Sequence, residues 1–306
     1  MTTRSLSIPP AAWFGILAVA SLWGGSFLSM RVAGDEVPTL TIVAIRVGGA
    51  ALVLWIYVLA MGIRVPRGVG LWASLAVMGL FNNVLPFSLI TWGERHIASG
   101  LASILNASTA IFGVLVAAAV LSDEQLTRRK VLGVALGFAG VATATGLEAL
   151  SQLDLRSLAQ LAVILASFCY AISGAWARVR LTGIAPEAAA AGMLTCSALI
   201  MVPATLLIDG VPTLDYSMPA VAALAYLAVF ASAVAYMIFY RLLARIGAAN
   251  TSVVTLLVAP IAIVLGAVVL GETLRPAAYA GFALLSLGLL VLDGRLAAWV
   301  GRMRAA

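Results

Sequence analysis

Asn82, Asn83 and Asn106 stand in otherwise apolar sequence. An amide placed there has no water to satisfy it and must find another polar group. Pro86 follows Asn82 by four residues and has no N–H to donate to its carbonyl, so that oxygen is left free beside two amide side chains. Pro260 does the same for the carbonyl of Leu256, next to Thr255. Such a cluster offers donors and acceptors that suit the carboxylate and ammonium of a zwitterion. The plainer use is hydrogen bonding between helices, which also fits the isolated hydroxyls Ser26, Ser108, Thr109, Ser173, Ser232 and Thr255.

Aromatic residues accompany them. Trp23, Tyr170 and Tyr236 fall deep within apolar runs, where rings with polar tips suit a bulky apolar or aromatic solute. Phe27 and Tyr240 belong to the same runs. Trp92 and Trp176 lie near the ends of theirs, where an interfacial aromatic belt accounts for them. Arg46 is the one cation well inside an apolar run. It can snorkel outward or cap carbonyls of a neighbouring helix; its functional use would be as ligand of a solute carboxylate or partner of a gate. Glu94, Arg95 and His96 follow at the end of a run, and a lone loop histidine is usually incidental. Cys169 and Cys196 sit in apolar runs and read as small core residues.

The elements that position these residues follow from composition. The chain of 306 residues is 63% hydrophobic and 10% charged, with a mean hydropathy of +1.11. So few charges cannot cover a water-soluble body of this length, so much of the surface must face lipid. Scanning for runs of about 20 residues gives ten segments near 12–33, 39–62, 70–93, 98–121, 129–147, 158–179, 187–208, 218–242, 248–270 and 276–297. The first is too long for a signal peptide and has no clean cleavage site, so it reads as a span. The runs show no period of two, which excludes a β-barrel.

Arg64, Arg67, Arg128, Arg129, Lys130, Arg178, Arg180, Arg241 and Arg245 all fall on one side of this zigzag, with Arg4 and the C-terminal arginines; Arg31, Arg95, Arg156 and Arg275 fall on the other. The positive-inside rule then puts both termini in the cytoplasm. The net charge of +6 is scattered between apolar runs, a pattern for anionic lipid and not for nucleic acid.

The two halves match at a spacing of 148 residues. Val116/Val264, Ala119/Ala267, Val120/Val268, Glu124/Glu272, Leu126/Leu274, Gly133/Gly281, Leu136/Leu284, Gly140/Gly288 and Gly146/Gly294 are identical pairs, and Pro38/Pro186 opens the second run of each half. The division expected is 1–150 and 151–306. Five spans is an odd number, so the second copy enters the membrane upside down. Inverted halves have two near-equivalent packings, each open to one face, and alternating access follows from their exchange around a midplane site. Glu124 and Glu272 are expected to close their turns onto the exposed N–H groups of the next helix.

These residues resemble a known family. Trp23-Gly24-Gly25-Ser26-Phe27 is similar to the first-span motif of the EamA branch of the drug/metabolite transporter superfamily. So are Ala249-Asn250-Thr251-Ser252-Val253, Pro260, Leu270-Gly271-Glu272-Thr273-Leu274, Gly281 and Gly288 to its repeat ending. The first half departs at Phe112, where the counterpart of Pro260 is missing. The resemblance implies ten helices in two inverted five-helix halves around a central cavity, in a bacterial inner membrane. It also implies export of amino acids and related metabolites, aromatic ones among them. The expected solute site is Trp23, Ser26, Asn82, Asn83, Asn106, Tyr170, Ser173, Tyr236 and Thr255, with Arg46, Glu94, Trp92 and Trp176 as gate or structural residues.

Rival functions find less support. Efflux of lipophilic cations calls for a buried acid, and no carboxylate falls in the middle third of any span. Facilitated movement is therefore expected, or coupling through Glu94 near the outer face. An intramembrane enzyme lacks His-Glu-x-x-His, Gly-x-Ser-x-Gly or a buried Asp pair, and no phosphate-binding loop implies ATP. No cofactor, metal or ATPase partner is implied.

Overall fold

The computed structural model describes residues 8–97, 99–154, 157–213, 215–270 and 275–293. Its helices in chain order are α1 (Pro10–Gly34), α2 (Thr39–Ala60), α3 (Val69–Gly93), α4 (Leu101–Val120), α5 (Arg128–Thr145), α6 (Leu158–Arg180), α7 (Pro186–Ile208), α8 (Met218–Ile246), α9 (Val254–Leu270) and α10 (Pro276–Asp293). Seven of them, α1–α4 and α6–α8, are long and apolar enough to cross a bilayer. The other three coincide with the expected fifth, ninth and tenth segments; α5 opens on Arg128-Arg129-Lys130, and α9 and α10 present shorter apolar stretches. Among the described residues there is no strand.

Local chemistry sets the helix starts. Proline occupies the first turn of α1, α7 and α8, where its missing N–H costs nothing. Thr127, Ser157 and Ser217 cap α5, α6 and α8 by accepting from the backbone N–H three residues on. Two helices expected to be continuous are interrupted: the fourth segment breaks at Ser108, and a single turn, Ala248–Thr251, precedes α9.

The principal helix contacts recur when each helix is replaced by the one five places on. Helix α1 packs against α8 and α9, and α6 packs against α3 and α4; α2 packs on α7, and α5 on α10. The α5–α10 contact is backbone against backbone. A Cβ at Gly288 would lie 2.5 Å from the Gly137 nitrogen, one at Gly133 would lie 2.6 Å from Leu292 Cβ, and Cβ atoms at Gly140 and Gly281 would meet the Leu285 and Ala144 nitrogens. The repeat-matched glycines of the two halves thus face each other across one seam.

Contacts between helix ends sort into two sets. At one end Thr41 donates to Asp209, Arg95 to Gly34 and Thr39, Ser217 to Glu36, and Arg275 to Glu148. At the other, Arg178 pairs with Asp123 and Arg241 with Glu187. Glu124 belongs to this second end. Its carboxylate accepts from the Ala248 N–H at 2.7 Å, in the other half, and Lys130 Nζ in the first turn of α5 lies 3.9 Å from it, while Thr127 caps α5. Glu272, its repeat partner, lies outside the described residues.

Helices α3 and α8 share one irregularity. Each contains a π-helical segment, Leu80–Val84 in α3 and Val229–Val234 in α8. A π segment shifts the hydrogen-bond ladder by one residue and re-aims both side chains and carbonyls. Asn82 and Asn83 lie on the first, and Ala231 and Ser232 on the second.

Candidate functional site

The two π segments hold two polar knots. Asn83, fully buried, donates to Ser197 Oγ at 2.9 Å, and its Oδ1 accepts from Tyr236 OH at 2.6 Å and Asn82 Nδ2 at 3.3 Å. Asn82 Oδ1 in turn accepts from Ser173 Oγ at 2.8 Å. This chain joins α3, α6, α7 and α8 and satisfies the buried amides. In the second knot, the Ala231 carbonyl accepts from Trp23 Nε1 at 3.0 Å and from Arg46 Nη2 at 3.5 Å, while Arg46 Nε donates to Ser232 Oγ at 2.9 Å.

Beside both knots lies a cavity of about 80 Å³, lined by Asn82, Tyr236, Trp23 and Arg46 among others. That volume holds on the order of five waters. Of the residues singled out from sequence, Trp23, Ser26, Phe27, Asn82, Asn106, Thr109, Tyr170, Tyr236, Thr255 and Arg46 line it. Asn83 and Ser173 do not: they stand behind Asn82 and Tyr236, and position them. Trp92 and Trp176 are also away from it. Trp92 is 38% exposed and stacks on His96, and Trp176 Nε1 donates to the Ser74 carbonyl. Glu94 lines a second space, at the C-terminal end of α3, together with Arg31, Asp35, Arg95 and His96.

Arg46 does not snorkel. It is 4% exposed, and its guanidinium carbon lies 3.7 Å from the Phe87 ring centroid, a cation–π contact. No carboxylate forms an ion pair with it among the described residues. It is also the single charged side chain in the cavity lining there. A buried cation without an ion-pair partner is costly. Asn106, 7% exposed, adds a second open valence: its Oδ1 has no hydrogen-bond partner. The lining therefore offers a cationic corner, a free amide, and the rings of Trp23, Tyr170 and Tyr236.

Residues not singled out complete the wall, chiefly Met30, Phe87 and Phe239. Met30 was findable. Trp23, Ser26, Phe27 and Met30 recur at spacings of three and four, and so share one helix face.

A bundle of apolar helices around an enclosed, partly polar cavity with an unmatched cation has the build of a solute carrier. Residues 10–146 and 157–292 both match the EamA-like transporter family, and the chain belongs to that family, as a multi-pass membrane transporter of small molecules. It is 28% identical over 98% of its length to 98% of a Streptantibioticus cattleyicolor protein named "Probable terminal-alkyne amino-acid exporter". It is 27% identical over 91% of its length to 93% of a Salmonella typhimurium protein named "Probable amino-acid metabolite efflux pump". An uncharacterized inner membrane transporter of Escherichia coli is 22% identical over 85% of the chain and 84% of its own. A solved crystal structure shares the fold with a TM-score of 0.78 at 19% identity, covering 94% of this chain and 99% of that one.

Proposed function

We propose that this transporter exports amino acids, bulky apolar and aromatic ones among them, and related metabolites across a bacterial inner membrane. The observation that carries the reading is Arg46, buried in the cavity wall with no carboxylate in ion-pair contact among the described residues. In this reading Arg46 holds the solute carboxylate, the Asn106 and Asn82 amides meet the ammonium, and Trp23, Tyr170 and Tyr236 face the side chain. The names of the Streptantibioticus and Salmonella relatives support the same solute class. A lipophilic cation would instead meet the Arg46 charge, which disfavours drug-cation efflux.

The transport cycle proposed is alternating access between two inverted five-helix halves, residues 1–150 and 151–306, with both termini in the cytoplasm. Support comes from the recurring helix contacts and from the two sorted sets of end contacts. At about 80 Å³ the cavity is nearly closed, so loading a bulky solute requires it to widen, as an exchange of packings does. Proteoliposomes loaded with one labelled amino acid, then challenged with each of the twenty in turn, test the reading. Counterflow with a subset of competitors supports it; no counterflow with any amino acid refutes it.

A further inference from the structure

The central cavity and the outer vestibule share one lining residue. Met30 lines both. Its sulfur lies 3.8 Å from Arg46 Nη1 on the cavity side and 3.6 Å from Thr91 Oγ1. Thr91 and Glu94 are three residues apart at the end of α3, so they share a helix face, and both line the vestibule, a polar space of about 610 Å³. The Glu94 carboxyl has one oxygen sealed from solvent and without a partner. Facing it are Arg31 and Asp35 of α1, Arg46 of α2, and Arg95 and His96 from its own segment. Tyr170 of α6 and Tyr236 of α8 line the cavity with Arg46, and Tyr226 of α8 is also near it.

Glu94 and a solute would thus draw on one cation from opposite sides of a thioether. Methionine is unbranched and adaptable, a wall that can yield. We propose that Glu94 is a proton-binding site that governs solute binding at Arg46: ionised Glu94 competes with the solute carboxylate for the guanidinium, and protonated Glu94 leaves it to the solute. This rests on the reading of Arg46 as the carboxylate ligand. Burial pushes the Glu94 carboxyl up to about 8, with Arg31 and then Arg46 opposing, so the exchange falls near neutral pH.

Linkage fixes the consequences. A solute carboxylate on Arg46 removes part of the pull that favours ionised Glu94, so loading takes up a fraction of a proton, and protons strengthen loading by the same factor. An alkaline outer solution draws the proton away and favours release. An arginine commonly moves a neighbouring carboxyl by one or more pKa units, so affinity changes at least about tenfold across the titration.

The test uses the purified full chain and the labelled amino acid that gives the strongest counterflow. Wild-type affinity is expected to fall about tenfold between about pH 6 and about pH 9. Glu94→Gln should bind with one affinity across that range, and His96→Gln should keep the wild-type dependence. A wild type that binds equally well at both ends, or a Glu94→Gln variant that retains the slope, overturns the proposal. Infrared titration of the solute-free protein, wild type minus Glu94→Gln, supplies a readout independent of transport. A protonated carboxyl persisting towards pH 8 supports the site, and loss in the ordinary carboxylate range overturns it. If no amino acid binds at any pH, the carrier reading fails, and the infrared titration still judges whether Glu94 holds a proton.

Discussion

Replacing Arg46 with glutamine removes the cation while keeping a donor that can reach Ser232. In the wild type the guanidinium is 4% exposed, 2.9 Å from Ser232 Oγ and 3.7 Å from the Phe87 centroid. Two unit charges about 4 Å apart at an effective dielectric of about 20 attract by about 4 kcal/mol. Desolvating the incoming carboxylate consumes part of that, leaving about 2–3 kcal/mol, comparable to a charge-assisted hydrogen-bonded pair. Solute affinity should therefore drop by roughly 30- to 150-fold. Arg46→Lys keeps the charge and loses the fork, and should lose about tenfold. Equilibrium binding of the transported amino acid and of its decarboxylated amine gives the contrast. The amine has no carboxylate to place, so it should bind Arg46→Lys about as it binds the wild type and Arg46→Gln at least as tightly, because that variant no longer repels its ammonium. Equal losses for amino acid and amine would refute the argument, because they would mean that Arg46 matters only by holding the second π segment in shape.

Asn106→Leu removes an amide whose Oδ1 makes no hydrogen bond, so thermal stability should hold or rise slightly while solute affinity falls; unchanged affinity takes Asn106 out of the site. Asn83→Leu should do the reverse, lowering thermal stability by about 2 kcal/mol or more, because Ser197 and Tyr236 lose a buried partner. Gly288→Leu forces side-chain atoms onto the Gly137 backbone and should cost transport and expression together, whereas Gly48→Leu, where a Cβ meets nothing, should be tolerated; both are read by size-exclusion profile and flux. The raised Glu94 value means that the folded chain holds a proton the unfolded chain has lost between about 4.5 and about 8. That share of stability is complete below the ordinary carboxylate value and declines as pH climbs to about 8. Glu94→Gln should flatten melting temperature over that window.

The helices were legible because nearly every one is apolar around its whole circumference, which in a chain so poor in charge leaves lipid as the solvent. The repeat was legible in its glycines and in Pro38/Pro186. The site was legible by residue type but not by facing. Asn82 and Asn83 are adjacent, and which of them meets the cavity depends on the local rotation of a π segment. Pro86 hinted at irregularity in α3; α8 has Ala235 at the start of the regular helix that follows, so nothing in its sequence announces the second segment. Arg46 looked as though it could reach water because its distance from the helix end allows it. The Phe87 ring and the Ala231 carbonyl hold it inward, and both come from other helices. Glu124 pairs with Lys130 at the nearest helix start, which its position suggested, and also accepts from Ala248 in the other half of the chain, a long-range pairing that no local pattern encodes.

The glycine seam between α5 and α10 has a mechanical consequence. Helices separated by a layer of side chains can slide or roll as rotamers adjust, but two backbones in direct contact have no such layer and resist both. In the proposed transport cycle this pair is the stationary spindle joining the halves. Rocking that opened the cavity would then be taken up by α1–α4 and α6–α9, with the broken fourth segment and the interrupted start of α9 as the joints at which those arms bend.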